Sequence, residues 1–348
     1  MNALPAKRSS INCYVVVVNY NGWKDTIECL ESLLRSDYKA FRVLVCDNSP
    51  SDESWMAMKK WADGEIDATC SSNAKVKSLI YPLLHKPILF DSFSIDELTD
   101  KSGFCNQLTF IRLKGNRGFA EAMNHGIRLA LKDPSCQYIW CLNNDTVVGP
   151  SVMRNMVRVL SEHMDCGICS SYTRSYQNPD KYDGGKQRIH FNKWLGNNIH
   201  YTVDKKHKNL LFNYDGSSFM VRRDFVENVG LMEERYFLYY EEPDWTIRGA
   251  KMGYKVIFYP EGIVYHKGGQ STGGRKESAS YLADYYLIRG RILITKKFYP
   301  YCLPTVYGGF IGSILHRIQR KQYDRIWMIL KLMVNPKPLL PQHRQGGK

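Results

Sequence analysis

The chain has 348 residues, a formal net charge of +14 and a hydrophobic content of 44%, enough length to bury a substantial core as one large domain or one domain with appendages. It has no run of about eighteen uncharged apolar residues, which excludes a transmembrane helix, and Met1 to Ser10 is too short and polar for a signal peptide. The excess positive charge points to phosphorylated substrates, an anionic membrane surface or nucleic acid; nucleic acid ranks last because helix-turn-helix, zinc-finger and RNA-binding signatures are absent.

Ile11 to Val18 is a β-branched run that ends in Asn19-Tyr20-Asn21-Gly22, which predicts a first central strand and its carboxyl-end loop. Asp25 is placed to cap a helix whose apolar face is Ile27, Leu30, Leu33 and Leu34. A second strand, Phe41 to Cys46, ends in Asp47-Asn48-Ser49, and the strand-helix-strand alternation implies a parallel sheet. Trp55, Met58 and Ala62 mark a short helix. Cys70 to Gln107 has no clear period and is expected to be an insertion. Leu108 to Leu113 predicts a third strand, after which Gly115-Asn116-Arg117-Gly118-Phe119-Ala120 turns into a helix with Met123, Ile127, Ala130 and Leu131 on one face. Glycines before a helix start let a phosphate approach the backbone, although they suit any tight turn.

The organising stretch is Tyr138 to Val148, an apolar strand running into Asn143-Asn144-Asp145. The carboxyl ends of strands in an α/β sheet form the ligand edge, so Asp145 is expected at a mouth, where a carboxylate can hold a hard divalent cation. A turn made for purely local reasons is the alternative. Pro150 predicts another helix and Cys166 to Ser171 a further strand, while Tyr172 to Tyr214 is polar and aromatic and suits acceptor-facing loops. Asp215-Gly216-Ser217-Ser218 leads into the strand start Phe219-Met220-Val221. Tyr236 to Tyr240 precedes Glu241-Glu242-Pro243-Asp244, followed by a helix from Trp245 to Met252 and a Gly253 stop. Acids in a first helical turn are favoured by the macrodipole, yet clustered carboxylates also raise one another's pKa, as a general base near neutrality requires. Lys255 to Val264 outlines a strand pair leading to Tyr265-His266-Lys267-Gly268-Gly269, whose histidine is either a loop residue or a metal ligand.

The ten cysteines are expected to be reduced, consistent with a cytoplasmic chain; Cys13, Cys29, Cys46 and Cys141 lie within apolar segments as small hydrophobes. Cys166-Gly-Ile-Cys169 is a lone C-x-x-C without a second pair, and the sequon at Asn144-Asp-Thr146 has no meaning in the cytoplasm.

In this order the motifs resemble glycosyltransferase family 2, the inverting enzymes of the GT-A fold, and among them the bacterial rhamnosyltransferase-like members. The resemblance covers about Ile11 to Thr272 and lies in motif order more than in any one motif. It implies an α/β fold with a mostly parallel central sheet flanked by helices. A nucleotide-sugar-binding half would occupy residues 1–149, an acceptor half 150–275, and a basic amphipathic helical region 276–348. Val17 to Gly22 (with Asn19, Tyr20 and Asn21) and Val45 to Ser49 (with Asp47 and Asn48) look like the nucleotide-binding loops, Asp47 accepting from the imide N–H of uracil or thymine. Asn116, Gly118, Phe119 and Asn124 resemble the Asn-x-Gly-Phe turn. Asn143-Asn144-Asp145 stands in place of the D-x-D motif, with a neutral first residue, and implies Mg²⁺ or Mn²⁺ on Asp145 with His266 completing the site. Tyr240 to Asp244 is similar to the family's aromatic-Glu-Asp-x-Asp motif and implies Glu242 as base, with Glu241 and Asp244 as alternatives.

The implied donor is a dTDP- or UDP-linked sugar, with dTDP-L-rhamnose the leading choice and galactofuranose, glucose or galactose the alternatives. The implied acceptor is a glycan or polyprenyl-linked glycan of cell-surface polysaccharide. A catalytically silent nucleotide-sugar-binding module is the reading from another class. A sugar nucleotidyltransferase is disfavoured because no Gly-rich, Arg-containing loop follows the first strand. A dinucleotide enzyme is disfavoured because no G-x-G-x-x-G follows a strand. Beyond Ser278, Tyr281, Leu282, Tyr285, Tyr286 and Ile288 alternate with Arg289, Arg291, Lys296 and Lys297, and an apolar Tyr-rich stretch follows at Tyr301 to Leu315. That pattern suits either peripheral contact with the inner membrane or a helix packed on the catalytic domain.

Overall fold

The β-branched run near the amino terminus becomes β1 (Cys13–Asn19), buried along its whole length because both faces of the sheet are covered. It pairs in parallel with β2 (Phe41–Asp47) on one side and β5 (Tyr138–Asn143) on the other. Next to β2 lies β4 (Leu108–Arg112), then β3 (Phe90–Ser94) at the edge, all parallel. Beyond β5 the direction changes. β11 (Ser218–Arg222) is antiparallel to β5 and to β7 (Cys166–Ser175), β12 (Lys255–His266) runs parallel to β7, and β6 (Thr146–Val148) closes the edge antiparallel to β12. The resulting order is β3-β4-β2-β1-β5-β11-β7-β12-β6.

The computed structural model describes residues 12–98, 104–182, 187–202, 210–268 and 280–339. The readings placed on Met1 to Ser10, on Gly269 to Thr272 and on Ser278 lie outside these residues.

Alternation along β1 feeds two cores. Val15 and Val17 face α1 (Trp23–Leu33), α2 (Glu53–Asp63) and α5 (Val152–Glu162), meeting Leu30, Trp61 and Met156. Tyr14 and Val16 face α4 (Phe119–Leu131), α6 (Arg223–Val229) and α7 (Glu241–Lys251), meeting Met123, Ile127, Phe225 and Trp245. A third cluster joins α8 (Tyr281–Phe298), α9 (Leu303–Gln319) and α10 (Tyr323–Val334) through Ile288, Ile292, Val306, Phe310, Ile329 and Leu332.

Several segments differ from expectation. The stretch taken as an insertion contributes the edge strand β3 and a short helix, α3 (Ala74–Ile80), whose Val76 and Ile80 pack against Val147 and Tyr265. It is anchored by buried Glu31, which accepts from Trp61, the Leu84 amide and Lys86. Tyr172 to Tyr214 is not all loop: it completes β7 and builds a small antiparallel sheet of β8 (Gln187–Asn192), β9 (Asn197–Thr202) and β10 (Phe212–Asn213). The expected strand pair after Lys255 is one long strand, β12, with register shifts. Asp25 makes no cap at α1; its carboxylate binds Lys267 at 2.5 Å instead.

All ten cysteines are free, and Cys166 and Cys169 are buried side chains of β7, so the C-x-x-C is strand interior. No helix among the described residues is long and apolar enough to cross a membrane.

Candidate active site

The parallel strands deliver their carboxyl ends to one edge. β1 ends at Asn19, whose amide donates to Asp47 at the end of β2 (2.7 Å) and accepts from Thr26 and from Asn144 beyond β5. These contacts hold three strand ends in register. They also commit Asn19 and Asn144 to the framework: both side chains are buried, and of the two only Asn144 reaches the cleft wall. Asp47 lies beneath Asn48, with its Oδ1 accepting from Asn19 and Ser49 while its buried Oδ2 has no partner. Burial pushes this carboxyl above its ordinary value. Asn48 braces the next loop, its Oδ1 accepting from the Arg117 amide and its amide donating to Asn116 and to the Gly118 carbonyl.

The open space at this edge is a cleft of about 300 Å³ lined by Tyr20, Asn48, Asn116, Gly118 and Phe119 on one side and Asn143, Asn144, Asp145 and His266 on the other. Phe237, Leu238 and Tyr239 roof it. Asn21 is exposed beside the cleft, held at positive φ by an amide hydrogen bond to Ser49. Asn124 does not reach it. Its side chain is fully buried, donating to the Met232 carbonyl and to Glu234 and accepting from the Met232 amide, so it fastens α4 to the segment before the roof.

Asp145 and His266 meet because β12 runs antiparallel to β6, pairing His266 with Thr146. The imidazole Nε2 lies 3.3 Å from Asp145 Oδ1. Burial alone would raise the Asp145 carboxyl, but hydrogen bonding to His266 and the charge of that imidazole hold it below the usual carboxylate range. For His266, burial acts downward and is outweighed by the Asp145 hydrogen bond and charge, with Asp215 adding to them. One carboxylate and one imidazole on a cleft wall, with the Asn143 carboxamide beside them, form an oxygen and nitrogen donor set suited to a divalent cation whose remaining positions come from a diphosphate and water. Among the described residues no group of three or more His, Cys, Asp or Glu side chains is arranged to hold a metal ion, so the Asp145–His266 pair offers two such ligands and leaves positions for a diphosphate and water.

The three acids at the start of α7 have different fates. Asp244 is fully buried and saturated, accepting from Tyr236, Arg248 and Lys297. Those commitments remove it as a base. Glu241 is also buried; desolvation and the neighbouring Glu242 push it well above the carboxylate range, and its Oε2 is unpartnered. Only Glu242 retains an open surface. Desolvation, reinforced by the charge of Asp215, raises it to about 7. Its carboxylate packs against Gly216, where any side chain would collide with it.

Asp215 is the residue sequence reasoning passed over. Because β11 is antiparallel to β5, its amino end opens at the same edge as Asp145, which brings the 215–217 turn between Glu242 and His266. Asp215 is pinned there by Thr173, by the Ser217 amide and hydroxyl, and by its own amide donating to Ser170. The sequence signal was a D-G-S-S turn directly before a strand; its pairing direction was not visible.

The roof also escaped sequence reasoning. Phe237, Tyr239 and Tyr240 all adopt positive φ, a costly conformation for aromatic residues. α8 holds them: Phe237 stacks on Tyr286 at 4.6 Å, Tyr240 packs on Gly290, and Arg289 donates to the Arg235 and Tyr236 carbonyls.

Comparison with known proteins agrees with this fold. A model described as "Glycosyl transferase family 2" matches residues 14–78 and 88–230. An N-acetylglucosaminyl-diphospho-decaprenol L-rhamnosyltransferase of Mycobacterium tuberculosis is 38% identical over 71 residues, which is 20% of this chain and 22% of that protein. The chain thus aligns with only about a fifth of that curated relative. Among solved structures, GalNAc-T7 with UDP, GalNAc and Mn²⁺ superposes with a TM-score of 0.54 at 13% identity, over 83% of this chain and 48% of that one. S. aureus TarS 1-349 in complex with UDP-GlcNAc gives 0.51 at 12% identity, over 94% and 82%. With more than half of its length matched by the family model and this architecture shared, the chain belongs to glycosyl transferase family 2 and has the GT-A fold.

Proposed function

We propose that this glycosyltransferase moves one sugar, with inversion, from a dTDP- or UDP-linked donor to a lipid-linked glycan on the cytoplasmic side of a bacterial membrane, in the building of cell-surface polysaccharide. L-Rhamnose from dTDP-L-rhamnose is the leading donor, supported by the 71-residue likeness to a rhamnosyltransferase whose name specifies a decaprenol-linked acceptor. The observation that carries the reading is one edge holding two separate chemistries: the Asp145–His266 pair at 3.3 Å, and a partly open Glu242 raised to about 7.

In this mechanism the donor's diphosphate lies along Asn116, Gly118 and Asp145, and its base stacks toward Tyr20 and Asn48 above Asp47. The unpartnered Oδ2 of Asp47 supplies an acceptor for an imide N–H once the base is seated. Glu242 takes the proton of the acceptor hydroxyl as that oxygen bonds to the anomeric carbon, and the bond from that carbon to the diphosphate oxygen breaks with its electron pair leaving on the diphosphate. Bound Mg²⁺ or Mn²⁺ at Asp145 and His266 would neutralise charge on the departing diphosphate. Asn143, neutral where the family motif has an acid, gives the ion one fewer charge, and weak metal affinity without nucleotide is expected.

The neutral Asn143 also keeps a second reading, a silent donor-binding module, in view. Turnover decides. Purified protein with dTDP-L-rhamnose or UDP-sugars and a polyprenyl-diphosphate-linked N-acetylglucosamine acceptor should release nucleoside diphosphate, with a product of opposite anomeric configuration by NMR. Glu242→Gln should lose at least about a hundredfold in kcat while donor affinity stays within about twofold. Retained configuration, or equal loss of donor binding and turnover, would remove Glu242 as the base.

A further inference from the structure

The α8 helix, whose basic and aromatic residues suited a membrane surface, is largely occupied: Tyr286, Arg289 and Ile294 are buried against the catalytic domain, and Ile288 and Ile292 against α9 and α10. Exposed apolar surface lies instead on the two helices after it. Along α9, Gly308, Ile311, Leu315 and Ile318 recur at intervals of three and four, with Ile311 61% and Leu315 55% exposed. α10 repeats the pattern with Tyr323, Trp327, Leu330 and Val334; Trp327 is 66% and Val334 86% exposed. Both stripes lie away from the residues that bury each helix, Val306 and Phe310 on α9 and Met328, Ile329 and Leu332 on α10. A helix that spends one face on its neighbours and leaves an apolar stripe on another is built for a second apolar environment.

Charge identifies that environment. Arg320 and Lys321 are exposed in the turn joining the two helices, Lys331 is exposed on α10 and Lys337 just past it. Asp324 is the single acid between Leu303 and Lys348. Arg317 and Arg325 are drawn to Asp284 of α8, leaving the outer surface of the hairpin basic. A second copy docking by this face would bring like charges together, whereas an anionic surface matches them. Trp and Tyr beside basic residues are the side chains favoured at a headgroup boundary.

We propose that the α9–α10 hairpin docks the enzyme on an anionic lipid surface, with Ile311, Leu315, Ile318 and Trp327 in the headgroup–acyl boundary and Arg320, Lys321 and Lys331 against lipid phosphates. The inference rests on the exposure and charge of these helices and goes beyond the donor and base assignments, which it would outlive.

Flotation of the full chain with vesicles of phosphatidylcholine alone, or of phosphatidylcholine with phosphatidylglycerol, tests it. Binding is expected only with phosphatidylglycerol and should weaken as salt rises. The double variant Leu315→Glu/Trp327→Glu should lose at least about tenfold in partitioning while keeping its donor-dependent melting shift. Arg320→Gln/Lys321→Gln, which touches no core residue, should lose about fivefold per charge removed, the equivalent of about 1 kcal/mol each. No binding of the parent at low salt, undiminished binding in both variants, or equal binding to pure phosphatidylcholine would overturn the proposal. So would a parent dimer in analytical ultracentrifugation that Leu315→Glu/Trp327→Glu converts to monomer, which would give the face to a second copy.

Discussion

Glu242 is distinguished from its two acidic neighbours by environment alone. Asp244 is locked to Lys297 at 2.6 Å and to Arg248, and Glu241 is buried, so of the three only Glu242, against Gly216, keeps an exposed surface. A base must be ionised to act, so kcat/KM should rise with pH through a limb near 7, the value to which burial and Asp215 lift Glu242. Asp215→Asn removes a negative charge that favours the protonated form; the limb should then move to lower pH, and an unmoved limb would detach Asp215 from the base. Residue identity was legible at this scale and residue role only in part. The acidic run and Asp145 stand out in the sequence, but Asn19 and Asn124 share the composition of ligand loops and turn out to be framework, because what an amide binds depends on which strand end lies opposite.

At the scale of elements, α7 and the aromatic roof depend on α8. Lys297 closes the ring of donors around buried Asp244, and Lys297→Met should lower stability by about 1.5–3 kcal/mol, the cost of removing a hydrogen bond to a charged group. Urea unfolding measures it, and a change under about 0.5 kcal/mol would mean Arg248 and Tyr236 suffice. Gly290→Val should be felt at the cleft instead, because a side chain there displaces Tyr240 and with it the positive-φ segment. Donor KM and kcat should both worsen while the sheet survives by circular dichroism; unchanged kinetics would free the roof from α8. Strongly patterned elements such as β1, β2, α4 and β5 were legible because apolar periodicity decides them. β3, α3 and the small sheet of β8, β9 and β10 were not: Phe90–Ser94 is a partly exposed edge strand, and Gln187–Asn192 and Asn197–Thr202 are polar, so tertiary pairing rather than local pattern fixes them.

Over the whole molecule, the sheet reversal at β11 makes the site. The parallel strands bring Asn48, Asn116 and Asp145 to one edge; the reversed strand β11 starts there with Asp215 just before it, and β12, running again in the direction of β5, ends there with His266. Strand direction beyond β5 cannot be read from apolar runs, which is why the strand end at Asn143-Asn144-Asp145 was expected at the cleft while the 215–217 turn near it was missed. Asp145→Ala should weaken metal-dependent donor binding by about ten- to a hundredfold without lowering the melting temperature of the free protein, and preserved metal-dependent affinity would remove Asp145 from the donor site.

The most direct test of a nucleotide-sugar cleft built on Asp145 and His266 is a thermal-shift panel of dTDP-L-rhamnose, UDP-sugars and GDP-sugars, each with Mn²⁺, Mg²⁺ or chelator. A ligand that binds only the folded state raises the melting temperature by mass action. Stabilisation by a dTDP- or UDP-sugar that disappears with chelator, and in Asp145→Ala, is the predicted result. No shift with any nucleotide sugar in folded protein, or one indifferent to metal and to Asp145, would contradict it.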